Sequence, residues 1–292
     1  MPATIANLGP GFDALGMAVD VYDRFHITLA ERPAVLFRGE GAPQLSREEA
    51  PLVARAAEAV ARRVGRAAAF AIQVDAAIPV ARGLGSSAAA IVGGLVAANH
   101  LLGLPLDQAA LLDMAVALEG HPDNVAAALL GGVVVVAADG EGVRCGRFLP
   151  RLALGIVLAV PRLAIATEEA RAVLPRTVPL SDAVFNLSRA ALLVTALLTG
   201  DASLLPTALD DRLHQPYRAR LLPGMGEVIA AAREAGAYGG CLAGSGSTIA
   251  AFVSPDRAAA VGDAMREAFA RREVAAEIRA VQVDTRGAVV NE

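Results

Sequence analysis

Pro79 to Ala90 reads P-V-A-R-G-L-G-S-S-A-A-A. Gly83 and Gly85 permit positive φ and a close backbone approach. Ser86 and Ser87 stand where side chains cap a helix, and the apolar run through Leu102 predicts that helix. Its start would offer amides and the positive end of a dipole, which together bind anions. A serine hydroxyl there can also ligate Mg²⁺, a cation that takes oxygen ligands and keeps phosphates as partners. Two other readings stand beside this one. The stretch can be a tight turn with a good N-cap. Gly83, Gly85 and Ala88 also fit the G-x-G-x-x-A of a dinucleotide fingerprint. That reading ranks low, because Asp75, Pro79 and Arg82 intervene after the strand and no near-continuous apolar strand leads in.

Working outward, Ala69–Val74 and the alternating Phe25–Glu31 read as strands, and Pro51–Val64 as a helix with proline in its first turn. Gly103 and Pro105 stop the helix that begins at Ser86. Asp107 is placed as the N-cap of a helix ending near Glu119. A short helix over Pro122–Leu130 runs into Gly131-Gly132, and Val133–Ala138 is a buried strand. Further on, strands are expected at Leu154–Val160, Tyr238–Leu242, Thr248–Val253 and Ala275–Val283. Helices are expected at Glu168–Leu174, Asp182–Leu198, Gly226–Ala235 and Asp256–Ala270. This order is the split βαβ, ferredoxin-like pattern. The class is α+β, with a boundary near Pro150 that divides the chain into residues 1–150 and 151–292.

Composition removes several alternatives. Hydrophobic residues make up 55% and charged residues 19%, enough apolar surface for a core and no case for disorder. A formal net charge of −4 argues against a nucleic-acid binder. All 26 basic residues are arginine. With no lysine, a Walker A loop, a protein-kinase site and a pyridoxal Schiff base are all excluded. Cys145 and Cys241 lie far apart and form no metal-ligand spacing, which fits reduced thiols in a cytosolic protein. No stretch at the start reads as a signal peptide. The longest apolar segment, Ala88–Leu102, is shorter than the roughly 20 residues a bilayer needs. A cytoplasmic protein without a membrane span is expected.

Two more glycine-rich motifs flank the central one. Near the start is P-A-T-I-A-N-L-G-P-G-F-D, Pro2 to Asp13, whose Gly9-Pro10-Gly11 forces a tight loop with Asn7 and Asp13 on either side. Alone, it reads as a surface turn. Near the end is C-L-A-G-S-G-S-T, Cys241 to Thr248, which alone reads as a hairpin turn. Together the three resemble the signature set of the GHMP small-molecule kinases. The central segment matches that family's P-x-x-x-G-L-G-S-S-A-A at every fixed position. The first motif, with Ile5 the one departure, and E-G-H-P-D-N (Glu119 to Asn124) followed by V-A-A-A-L-L-G-G are closest to the members that phosphorylate homoserine. The resemblance covers nearly the whole chain. Such members carry several residues of strand before the first motif. Here Met1 abuts Pro2, so the natural start is expected upstream or the edge strand shortened.

The resemblance implies a two-domain fold, with a ribosomal-protein-S5-domain-2-like N-terminal part and a ferredoxin-like C-terminal part. It implies that Pro79, Val80, Ala81, Arg82, Gly83 and Leu84, then Gly85, Ser86, Ser87, Ala88 and Ala89, wrap the phosphates of ATP. Ser87 and Glu119 would hold Mg²⁺. Arg171 and Arg218 would grip the carboxylate of L-homoserine, as forked guanidinium groups do. Asp13 would meet its ammonium. Asn7 and His121 would bond its polar end, and Thr167 and Gly244 complete the contacts. Asn124 falls where some relatives carry an aspartate, so the reaction is expected to proceed without a dedicated base, with Asn124 orienting the hydroxyl. Asp123 should point elsewhere. His26, His100 and His214 fall outside the motifs and are expected to be structural or solvated. A homodimer is implied. The alternatives are another alcohol substrate such as mevalonate, or a silent ligand-binding member.

Overall fold

The computed structural model describes residues 1–42, 50–139 and 142–291. In chain order its strands are β1 (Pro2–Ala6), β2 (Leu15–Tyr22), β3 (Arg24–Ala30), β4 (Ala34–Gly39), β5 (Ala69–Ala76), β6 (Val133–Asp139), β7 (Gly142–Phe148), β8 (Gly155–Pro161), β9 (Gly239–Leu242), β10 (Ile249–Val253) and β11 (Ala276–Val281). The helices are α1 (Ala50–Arg63), α2 (Ser86–Leu101), α3 (Gln108–Glu119), α4 (Pro122–Leu130), α5 (Thr167–Ala172), α6 (Leu180–Thr199), α7 (Leu205–Ala208), α8 (Gln215–Arg218), α9 (Met225–Glu234) and α10 (Ala258–Ala270).

Alternation builds the first layer. In β5 every second residue is buried, and Phe70, Ile72 and Val74 point into the core beneath α1 and α2. β5 pairs antiparallel with β3 and parallel with β4. Helix α1 closes that layer with Val53, Ala56, Ala57 and Val60 on one stripe. Asp107 caps α3 as expected, its side chain accepting from the Ala110 amide at 2.8 Å.

A second sheet has the order β1-β2-β6-β7, antiparallel throughout. Sequence reading missed β1, β2, β4 and β7. The reason in β1 is physical: all five residues are buried, so no alternation marks the strand. The Pro2–Asp13 segment is therefore not a surface turn. Pro2 to Ala6 is strand, and Asn7 to Gly11 is buried behind it. Asn7, Leu8 and Asp13 all take positive φ, strained positions that the surrounding packing holds in place.

The third sheet runs β11-β8-β10-β9 with every neighbour antiparallel. With α10 between β10 and β11 and the helices α5–α9 between β8 and β9, this is the expected split βαβ arrangement. One core joins the second and third sheets. It contains Ile5 and Met17 from β1 and β2, Ile156 and Leu158 from β8, Phe252 from β10, and Leu193 and Leu197 from α6.

Helix α6 corrects the search for long apolar segments. Its 20 residues reach a mean hydropathy of 1.3, and among the described residues it is the one helix long and apolar enough to cross a membrane. In this fold one side of it packs into the shared core through Leu193, Ala196 and Leu197, while Asn186 bonds to the Pro10 carbonyl at 3.1 Å.

Candidate active site

The glycine-led loop ends on Gly85, which caps α2 in the left-handed region at φ 72° with no side-chain capping bond. Ser86 and Ser87 are thus the first residues of the helix rather than its caps, which frees the Ser87 hydroxyl for another partner. The Ala89 amide returns to the Gly85 carbonyl at 2.9 Å, so the amides before it face out of the helix end. The loop is held from both sides. The Thr4 amide bonds to the Leu84 carbonyl at 3.0 Å, and the Thr248 amide to the Arg82 carbonyl at 3.1 Å. A side chain at Gly83 would overlap the Ala243 carbonyl oxygen, and one at Gly85 the Thr4 hydroxyl. The two glycines are needed because β1 and the β9–β10 turn press against the loop.

The corner between α3 and α4 brings up the acidic groups. Glu119 is the last residue of α3, Gly120 turns the chain at φ 87°, and His121 and Pro122 start α4. The Ser87 hydroxyl donates to Glu119 Oε1 at 2.8 Å. Burial pushes the Glu119 carboxyl up from its ordinary value, against the pull of His121 and of the Ser87 bond. His121 stands between two carboxylates, with Nε2 3.7 Å from Glu119 and Nδ1 3.6 Å from Asp123. Both spacings are too long for hydrogen bonds. Burial pulls the imidazolium down, but Asp123 and Glu119 outweigh it and the net shift is upward. Asp123 does not point elsewhere. It lines the same cavity, 1% exposed, with Oδ1 accepting from the Asn124 amide at 2.9 Å and Oδ2 buried without a partner among the described residues. Thr4 Oγ1 donates to Asn124 Oδ1 at 2.7 Å, which leaves the Asn124 amide nitrogen as the donor on that side chain.

A second cluster stands opposite. The Arg171 guanidinium grips Asp13 with both arms, at 2.8 and 3.0 Å. That bond comes first in holding Arg171 above its ordinary value. Arg218 is 2% exposed. Burial, and then repulsion from Arg171, draws it down to about 10, still a cation at neutral pH. Asn7 ties the first and last motifs together, its Nδ2 donating to the Gly244 carbonyl at 3.0 Å and its Oδ1 accepting from the Asp13 amide at 3.0 Å.

These two clusters and the loop share one cavity of about 380 Å³. Every predicted site residue lines it except Ala88 and Ala89. Those two are fully buried in the cores on either side of α2, because a helix presents only its first residues to a ligand at its end. Ser245 lines the cavity too, in the turn that the sequence reading offered as ligand-facing, whereas Ala6, Leu52 and Ala164–Ala166 on the wall were missed. None carries chemistry that a motif would flag; the T-E-E-A-R segment beside Ala166 was the nearest signal.

A loop that aims a helix start at a cavity, with a hydroxyl–carboxylate pair beside it, is a geometry suited to binding phosphate groups. The family model described as GHMP kinases N terminal domain matches residues 51–132, and GHMP kinases C terminal matches residues 193–271. The chain belongs to the GHMP kinase family. Within it, a homoserine kinase of Moorella thermoacetica is 49% identical over 99% of this chain and 98% of its own length. One of Carboxydothermus hydrogenoformans is 44% identical over 99% and 95%. The crystal structure of homoserine kinase from Cytophaga hutchinsonii superposes with a TM-score of 0.89 at 31% identity, covering 98% of this chain and 94% of that one.

Proposed function

We propose that this protein transfers the terminal phosphoryl group of ATP to the side-chain hydroxyl of L-homoserine, giving O-phospho-L-homoserine on the way to threonine. The observation that carries this reading is the single cavity that joins the start of α2 to the Asp13–Arg171–Arg218 cluster. A zwitterionic amino acid matches that cluster: its carboxylate suits two guanidinium groups and its ammonium suits Asp13. Arg171 and Asp13 already satisfy each other at 2.8 and 3.0 Å, so a zwitterion replaces one ion pair with two. A mono-anion such as mevalonate, if it drew Arg171 to its carboxylate, would bring no cation to Asp13 in exchange.

The residues also fit Mg²⁺. Ser87 Oγ and Glu119 Oε1 lie 2.8 Å apart, an all-oxygen pair beside an anion site, and a buried carboxylate held above its ordinary value gains from a nearby cation. Ser87 and Glu119 would hold the ion, which when bound neutralises charge on the phosphates. The rest belongs to the chain. The loop from Pro79 to Ser87 receives the phosphates, the α2 amides neutralise the charge that develops in transfer, and Asn124 orients the hydroxyl. Phosphoryl transfer passes through a loose transition state, so alignment and charge neutralisation supply most of the rate and no dedicated base is required. The family resemblance also implies a homodimer, which light scattering of the purified chain tests.

A coupled ADP-release assay with L-homoserine, mevalonate and galactose tests the assignment. Turnover with L-homoserine at least tenfold above the other two, by kcat/KM, is the expected result (about 1.4 kcal/mol of discrimination). Equal or greater turnover with mevalonate would overturn the substrate, and none with any alcohol would favour a silent binding protein.

A further inference from the structure

The reading of Arg218 as a substrate carboxylate ligand raises a question of placement: what stops a buried, mobile cation from swinging away or spending its hydrogen bonds elsewhere? Its partners give the answer by counting. A guanidinium has five N–H donors and no acceptor. Arg218 Nε donates to the Ala170 carbonyl at 3.1 Å. Its Nη1 donates to the Gly244 carbonyl at 3.0 Å and meets His214 Nδ1 at 3.2 Å. That uses three donors. Among the described residues no acceptor meets Nη2, and Arg218 lines the cavity.

The state of His214 follows from the same bonds. Its ring is fully buried. Nε2 lies 2.7 Å from the Gly9 carbonyl, which can only accept, so Nε2 carries a proton. Nδ1 faces Arg218, which can only donate, so Nδ1 must be the bare acceptor. One tautomer of a neutral imidazole satisfies both. Burial acts the same way, holding His214 below its ordinary value against the pull of Asp211 at 3.5 Å. Phe12 lies against the ring with centroids 5.4 Å apart. Asp211 accepts from the amides of Leu213, His214 and Gln215 at 2.9, 3.1 and 2.7 Å, which fixes the start of α8. Gln215 Oε1 in turn accepts from the Leu242 amide at 2.8 Å, tying α8 to β9.

We infer that His214 is a positioning residue for substrate binding: as a neutral acceptor it fixes Arg218 so that Nη2 alone faces the cavity. This rests on the reading of Arg218 given above. It also narrows the expectation for His214, of which the structural alternative holds. It is not solvated, and its structural role is directed at one side chain of the site.

Two amide variants separate the ring's two nitrogens. In His214→Asn the side-chain oxygen stands near the place of Nδ1 and can accept from Arg218. In His214→Gln the side-chain NH₂ reaches toward the Gly9 carbonyl, but no acceptor stands where Nδ1 was. Expected in His214→Gln is a rise of about tenfold in KM for L-homoserine, with kcat and KM for ATP within about threefold of wild type. His214→Asn should restore KM for L-homoserine to within about threefold. Adding His214→Gln to Arg218→Leu should change nothing further, since the histidine acts through the arginine. Equal KM values for His214→Asn and His214→Gln, or an additive double variant, would overturn the positioning role. Should Arg218→Leu itself leave KM for L-homoserine unchanged, the carboxylate reading of Arg218 falls instead.

Discussion

The Ser87–Glu119 contact and the Asp123 carboxylate bear on the chemistry in different ways. Ser87 Oγ and Glu119 Oε1 form a pair suited to a divalent cation, so Glu119→Gln should lower kcat by about 10²-fold or more and raise the Mg²⁺ concentration needed for half-maximal rate. A variant with wild-type Mg²⁺ dependence would remove Glu119 from that role. Asp123 is harder to place from sequence, since on a helix it should point away from the direction its neighbour Asn124 takes. Its Oδ2 is buried on the cavity wall without a partner among the described residues. The base-free reading predicts that Asn124→Ala slows turnover more than Asp123→Asn does, measured as kcat at saturating substrates. Collapse by several orders of magnitude in Asp123→Asn alone would make Asp123 the base and end that reading.

At the scale of elements, caps and glycines do separable work. Asp107 caps α3 far from the cavity, and Asp107→Ala should cost about 1 kcal/mol of stability by urea unfolding while leaving kcat unchanged. Gly85 sits at φ 72° against the Thr4 hydroxyl, so Gly85→Ala displaces the start of α2. It should cost more than about 1 kcal/mol and raise KM for ATP well above that for L-homoserine. Equal effects on the two KM values would argue that the loop does not carry the phosphates. Helices α3 and α4 were legible because their stop and start signals are local: Asp107, Gly120, Pro122 and Gly131 each act on the turn they occupy. Strands β1 and β2 were not, because burial of all of β1 and of the first five residues of β2 erases alternation and because a strand is completed by partners far along the chain, as Leu15 is by Val135.

Across the whole molecule, the core shared by β1, β2, β8, β10 and α6 binds the first and last parts of the chain together. Thermal unfolding should therefore follow one cooperative transition rather than two. Ile156, fully buried in that core, gives the sharpest check: Ile156→Ala should cost about 2–5 kcal/mol and move the single transition as a unit. A split into two transitions would show that the halves fold independently. The cavity opens where those halves meet, which is why its walls come from residues as distant as Asn7 and Gly244.

The sequence by itself determined the longer helices but not the four-residue α7 and α8, and it determined the split βαβ order of the last four strands, the absence of lysine chemistry and three glycine-rich turns, since each depends on residues within a few positions of one another. It also named most of the residues that line the cavity, because their motifs are short and fixed. Only the tertiary structure decided that those turns meet at one helix end, that Arg171 is paired with Asp13, that Asp123 faces the cavity and that His214 stands behind Arg218. Apart from His214 and Arg218, which stand four positions apart, those contacts join residues tens to hundreds of positions apart, and no local pattern of charge or hydropathy records which distant backbone will close upon them.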